Sequence, residues 1–220
     1  MNDALLERAR KLAAGGRAVL GITGPPGAGK TTLAEALIKG LGTDVAHVPM
    51  DGFHLADAEL DRLGLRDRKG APETFDPWGY AALLRRIREG EDEIVYAPGF
   101  ERTLEQPIAG AIPVPRSTRL VISEGNYLLL DDPRWNAVRE AFDEVWYVDL
   151  DPAERMRRLV RRHIEFGKDE AAAIAWAGGT DERNAVRVAA TRDRADLVLT
   201  SFASSVASSV ASSFAEDPPG

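Results

Sequence analysis

The sequence predicts an α/β fold with a largely parallel sheet, and three observations carry that prediction. Short apolar runs alternate with stretches of helical periodicity along most of the chain. The first alternation, strand 18–22, helix 31–41 and strand 45–48, makes a βαβ unit. Between its first strand and its helix lies Gly24-Pro25-Pro26-Gly27-Ala28-Gly29-Lys30-Thr31, a loop of the G-x-x-x-x-G-K-[ST] pattern.

In chain order, Leu5, Leu6, Ala9, Leu12 and Ala13 recur at helical spacing over 4–13, and Gly15-Gly16 stops that helix before the apolar run Ala18 to Ile22. A second helix runs from Thr31 to about Leu41, and Val45 to Val48 follows as a short strand. Further strands are expected at 94–96, 120–122, 145–148 and 197–199, with helices at 77–89, 133–142, 152–166 and 181–192. The segment 97–118 holds Pro98, Pro107, Pro113 and Pro115, so a long irregular excursion is expected there rather than another βα unit.

Composition narrows the chemistry. The chain has 220 residues, 44% hydrophobic and 29% charged, which suits one globular domain of about 200 residues with a real core. With no cysteine, disulfides, thiolate zinc sites, iron–sulfur clusters and cysteine nucleophiles are excluded. A net charge of −7 disfavours non-specific binding to nucleic acid or to an anionic membrane, since both need a basic surface. No apolar run reaches the ~18 residues of a membrane span, and Met1-Asn2-Asp3 lacks the basic start of a signal peptide, so a cytoplasmic protein is expected. An anionic ligand must then be met by local positive charge.

The glycine-rich loop supplies it. Its backbone N–H groups converge on phosphate oxygens and the following helix adds a favourable dipole. Lys30 is placed to reach the β/γ-phosphates, the Thr31 hydroxyl to ligate Mg²⁺, and Thr32 to lie near the α-phosphate. Such a loop predicts nucleotide binding without fixing the reaction. No Asn-Lys-x-Asp guanine-reading motif and no Leu-Ser-Gly-Gly-Gln-like signature occurs, which argues against a GTPase and a transporter-type ATPase. A nucleotide-dependent switch or chaperone without a small acceptor stays open beside a kinase.

Two carboxylates and an arginine run fit kinase roles. Asp51 follows the strand 45–48, at the sheet edge where ligands bind in such folds, and is a candidate base or metal-water ligand; a turn aspartate before Gly52 is the alternative. Glu124 ends the strand 120–122 in the place of a metal-binding acid, or else caps a helix. Residues 154–163 place Arg158, Arg161 and Arg162 on neighbouring turns, either as a solvated basic face or as cations for a transferring phosphoryl group. His163 reads as structural rather than as a base.

Taken together, these residues resemble the uridine kinase, phosphoribulokinase and pantothenate kinase group of P-loop kinases, and within it bacterial fructokinase-like kinases. The blocks that carry the likeness are the loop itself, 49–55, 68–76, 123–129 and 157–163. The resemblance implies a three-layer, adenylate-kinase-like fold with a mainly parallel five-stranded sheet. It also implies ATP with Mg²⁺ and transfer of the γ-phosphoryl group to a hydroxyl of a small nucleoside- or sugar-like metabolite. By the same likeness, Asp51 is the acid that serves as base or metal-water ligand, Glu124 is the metal-binding acid that acts with Thr31, and Arg158 and Arg161 close over the phosphates. The acceptor pocket is expected at 52–118, with His54, Arg68, Phe75, Tyr96, Phe100 and Arg102 as its candidates, and a lid at 152–168. Pro98-Gly-Phe-Glu-Arg-Thr103 stands where uridine kinases carry Tyr-Asp-Phe and His-Ser-Arg, so the acceptor stays open between nucleosides and sugars. Homo-oligomerisation is open too.

The last 18 residues differ from the rest. Ala203-Ser-Ser-Val206, Ala207-Ser-Ser-Val210 and Ala211-Ser-Ser-Phe214 repeat one four-residue unit, and a low-complexity tail is expected over 203–220. A docked helix with Phe202, Val206, Val210 and Phe214 on one stripe is the alternative.

Overall fold

A computed structural model describes residues 3–167 and 169–200; the 203–220 tail lies outside them. The main sheet holds β1 (Ala18–Thr23), β2 (Val45–His47), β5 (Leu120–Gly125), β6 (Glu144–Val148) and β7 (Leu197–Leu199) in the order β2-β5-β1-β6-β7. Every neighbouring pair is parallel. Parallel strands need helical crossovers, and these cover both faces.

The alternation of side chains sorts the two faces. Val19, Val121, Val145 and Tyr147 point into one core with α4 (Pro77–Glu89) and α5 (Pro133–Arg139), where Tyr80, Leu84 and Trp135 are fully buried. Leu20, Ile22, Ile122 and Trp146 point into the other, with α1 (Asp3–Ala14) and α2 (Lys30–Leu41) contributing Leu5, Leu33 and Leu37. Both layers are therefore dry, and the three-layer α/β architecture follows. Among the described residues no helix is long and apolar enough to cross a membrane.

The 94–118 region departs from expectation. Ile94–Tyr96 does not join the main sheet, and 97–118 is not irregular. Instead β3 (Ile94–Glu101) and β4 (Gln106–Pro115) form a separate antiparallel hairpin with a register shift between Ala97 and Gly99. The prolines permit this because a two-stranded ribbon has two free edges. Pro113 and Pro115 are two apart, so both missing N–H groups fall on one side of the strand, where no ladder bond is lost. Val95, Ala97 and Val114 turn the inner face onto the first core.

Two short helices were not foreseen, α3 (Asp57–Leu63) and α7 (Glu170–Trp176). The expected helix 152–166 is α6 (Pro152–Glu165), and 181–192 shortens to α8 (Glu182–Ala189), preceded by one π-helical turn, Ala177–Asp181. Two further helices, α7 and α8, therefore follow α6 before β7.

Candidate active site

The glycine-rich loop joins β1 to α2 at the C-terminal edge of the sheet, as the βαβ reading requires. Its conformation depends on tertiary contact as well as on glycine. A Cβ on Gly27 would stand 2.7 Å from Leu159 Cγ and 3.1 Å from the Arg155 carbonyl, so α6 presses directly on the loop. Pro25, Pro26 and Ala28 are buried beneath that contact, while Thr32 is exposed on the first turn of α2.

Lys30 is 9% exposed and its ammonium donates to the Gly24 carbonyl at 3.0 Å and the Pro25 carbonyl at 3.2 Å. Burial lowers its pKa to about 8, with the charge of Glu124 opposing the shift. Glu124 is itself buried at the end of β5, and its carboxyl is pushed upward first by desolvation and then by Asp51. The Thr31 hydroxyl donates to Glu124 Oε1 at 3.2 Å. A hydroxyl and a carboxylate therefore meet beside the phosphate loop.

Asp51 lies in a short 3₁₀ turn, Met50–Phe53, just beyond β2, and its carboxylate faces the same cleft. Arg102, at the tip of the β3–β4 hairpin, reaches to 3.9 Å from Asp51 Oδ2. The hairpin is held close by Gly52, where a Cβ would collide with the Pro98 carbonyl oxygen at 2.3 Å. Asp51, Arg102, Lys30, Thr31 and Glu124 thus line one cleft of about 140 Å³.

The remaining acceptor candidates divide. His54 packs between Phe75 and Phe100, with centroids 4.0 and 4.9 Å away, and its Nδ1 lies 2.8 Å from the Asp51 carbonyl oxygen. It buttresses Asp51 from behind, and burial holds its pKa down. Phe75 is a core residue, edge-on to Tyr127 and Trp135. Tyr96 is 56% exposed on the outer face of the hairpin, away from the cleft. Arg68 pairs with Glu73 and lines a different hollow.

The arginine run also divides. Arg158 pairs with Glu154 at 2.8 Å, and its guanidinium lies 4.0 Å from where a Gly29 Cβ would be. Arg161 does not join it: it is 82% exposed, pairs with Glu165 and stands on another face of α6. Arg162 lines the cleft in its place. The reason is helical geometry, since Arg155, Arg158 and Arg162 stand three and four apart on the stripe that meets the loop. Arg155, not singled out from the sequence, is 4% exposed; it donates to the Pro26 carbonyl at 3.4 Å and pairs with Glu182 of α8. That i, i+3, i+7 spacing was the signal available in the sequence.

Other lining residues carried no such signal. Lys69, Gly70 and Asn126 complete the walls, and Trp176, Thr180, Asp181 and Asn184 form the roof. His163 pairs with Asp181 at 2.7 Å, which gives it a structural place under that roof.

Comparison with known proteins agrees with this geometry. The sequence profile of the Phosphoribulokinase / Uridine kinase family matches residues 19–206. A candidate uridine kinase of Schizosaccharomyces pombe is 34% identical over 160 residues, covering 69% of this chain and 68% of the relative. The pantothenate kinase of Paenarthrobacter aurescens is 31% identical over 222 residues, covering 84% of this chain and 67% of the relative. Among solved structures, a candidate fructose transport system kinase from Silicibacter sp. TM1040 superposes with a TM-score of 0.80 at 38% identity, covering 89% of this chain and 97% of that one. With its glycine-rich loop, the arginine-bearing helix α6 packed on that loop and a profile match over most of its length, the chain belongs to the phosphoribulokinase / uridine kinase family of ATP-dependent P-loop phosphotransferases.

Proposed function

We propose that the chain transfers the γ-phosphoryl group of ATP to a hydroxyl of a nucleoside- or sugar-like metabolite, with Asp51 as the base. The observation that carries the reading is the placement of Asp51 and Arg102 in the same cleft as Lys30, Thr31 and Glu124. The loop N–H groups and Lys30 bind the triphosphate, and Arg158 and Arg162 offset charge on the transferring group. Asp51 takes the proton of the acceptor hydroxyl, the acceptor oxygen bonds to the γ-phosphorus, and the bond from that phosphorus to the β-phosphate oxygen breaks, releasing ADP. Arg102, 3.9 Å from Asp51, orients that carboxylate and meets the acceptor, and His54 supports Asp51 from behind.

The Thr31 hydroxyl and Glu124 carboxylate are hard oxygen donors at 3.2 Å, which suits Mg²⁺, an ion that takes its remaining ligands from phosphates and water. When bound, it neutralises phosphate charge. The matched relatives are named as a uridine kinase, a pantothenate kinase and a fructose transport system kinase, so no single acceptor follows from their names.

The test is incubation with ATP, Mg²⁺ and a panel of nucleosides, sugars and vitamins, followed by product detection. A phosphorylated nucleoside or sugar is expected, and Asp51→Asn should bind ATP normally while losing about 10²–10⁴-fold in transfer. ATP hydrolysis that is indifferent to every acceptor would overturn the reading in favour of a nucleotide-dependent switch.

A further inference from the structure

Beside the reaction cleft, and sharing Thr180 and Asn184 with it as a dividing wall, lies a second hollow of about 370 Å³. Arg68 enters it from the segment before Ala71, and Arg183 and Arg187 enter from α8, one turn apart. A single carboxylate offsets these cations. Glu73 pairs with Arg68 and lies 3.6 Å from Arg187, whereas Arg183 donates to the Thr180 hydroxyl and, among the described residues, has no carboxylate partner. Three guanidinium groups against one carboxylate leave an excess of two positive charges in a chain whose net charge is −7. Arg68 and Arg187 are each about half exposed, so the cluster is reachable from solvent.

A guanidinium presents paired N–H donors that match the oxygens of a phosphate or carboxylate, and several converging ones select for such groups over a neutral ligand. The dividing wall is built: Asn184 is 6% exposed and its amide donates to the Gly70 carbonyl at 3.4 Å, the carbonyl that also accepts from the Tyr127 hydroxyl. We propose that this hollow binds the phosphate or carboxylate group of a small molecule through Arg68, Arg183 and Arg187. The site is separate from the triphosphate loop. It does not depend on Asp51 being the base.

The experiment is calorimetric titration of the full chain with inorganic phosphate, with the loop first saturated by a non-hydrolysable ATP analogue. Saturable binding is expected. Arg183→Gln and Arg187→Gln should each weaken it at least tenfold with analogue affinity unchanged, and Glu73→Gln should strengthen it by removing the one opposing charge. Absence of phosphate binding once the loop is filled, or equal binding by wild type and both arginine variants, would overturn the proposal. So would weaker binding by Glu73→Gln with an unchanged melting temperature. Once the acceptor is known, phosphate that raises its KM in proportion to occupancy assigns the hollow to the acceptor's own anionic group; phosphate that binds and leaves KM unmoved assigns it to a separate metabolite.

Discussion

Replacing Gly52 with alanine tests whether the hairpin positions the acceptor chemistry. The new Cβ would sit 2.3 Å from the Pro98 carbonyl oxygen and 2.8 Å from its carbon, and both belong to backbone that no rotamer change can move. A carbon and an oxygen settle at about 3.3 Å or more, so the hairpin and the Met50–Phe53 turn must part by roughly 1 Å. Arg102 rides on that hairpin and already stands 3.9 Å from Asp51, so the pair opens towards about 5 Å. A misplacement of about 1 Å costs on the order of 10²-fold in rate. The overpacking itself costs about 1–3 kcal/mol, a fall of several degrees in melting temperature for a chain of this size. The loop and Lys30 belong to other elements, so nucleotide affinity should hold. Product formation under saturating ATP, binding of a fluorescent ATP analogue and thermal melting separate these effects, and Gly15→Ala, whose Cβ meets nothing within 4 Å, is the control. A folded Gly52→Ala protein with wild-type kcat would refute the assignment of the hairpin as a positioning element.

Three further substitutions probe other parts of the site. Lys30→Met removes two charge-assisted hydrogen bonds to the loop and the charge proposed to meet the triphosphate, and should weaken ATP binding about 10- to 100-fold with little change in melting temperature; unchanged affinity would contradict the proposed role of Lys30. Arg162→Ala should lower transfer at least about tenfold and Arg161→Ala by less than about twofold, measured as kcat, because only the first lines the cleft; equal effects would mean that α6 is turned differently from the structure. Tyr80→Phe deletes the hydroxyl that contacts Ser123, whose own hydroxyl donates to the Val48 carbonyl, and should cost about 1–3 kcal/mol by denaturant unfolding while leaving kcat within about twofold.

Much of the fold and the phosphate site was legible because its information is local. The unbroken apolar runs at 18–22 and 120–122 report burial on both faces, and a glycine-rich turn between strand and helix needs only its own eight residues to be recognised. Asp51 and Glu124 were readable for a related reason: one follows a strand and the other lies at the end of one, and parallel strands deliver their C-terminal ends to one edge. The hairpin was misread because proline was counted as breaking pairing wherever it occurs, whereas its cost depends on which edge of a strand is free.

The sequence by itself determined a parallel α/β sheet, a phosphate loop carrying Lys30 and Thr31, and two acids at the sheet edge. Tertiary structure alone decided which candidates share a cleft. The face of α6 that turns inward is set by Leu159 and Arg155 packing on Gly27, and that contact brings Arg158 and Arg162 to the loop and leaves Arg161 in solvent. Arg68 opens the block 68–76, yet the fold places it beside Asn184 in one hollow with Arg183 and Arg187, more than a hundred positions away in the chain. Spacing along a chain specifies a helix face or a strand end. Convergence of residues distant in sequence depends on close packing between elements, and that is decided only when all the layers are in place.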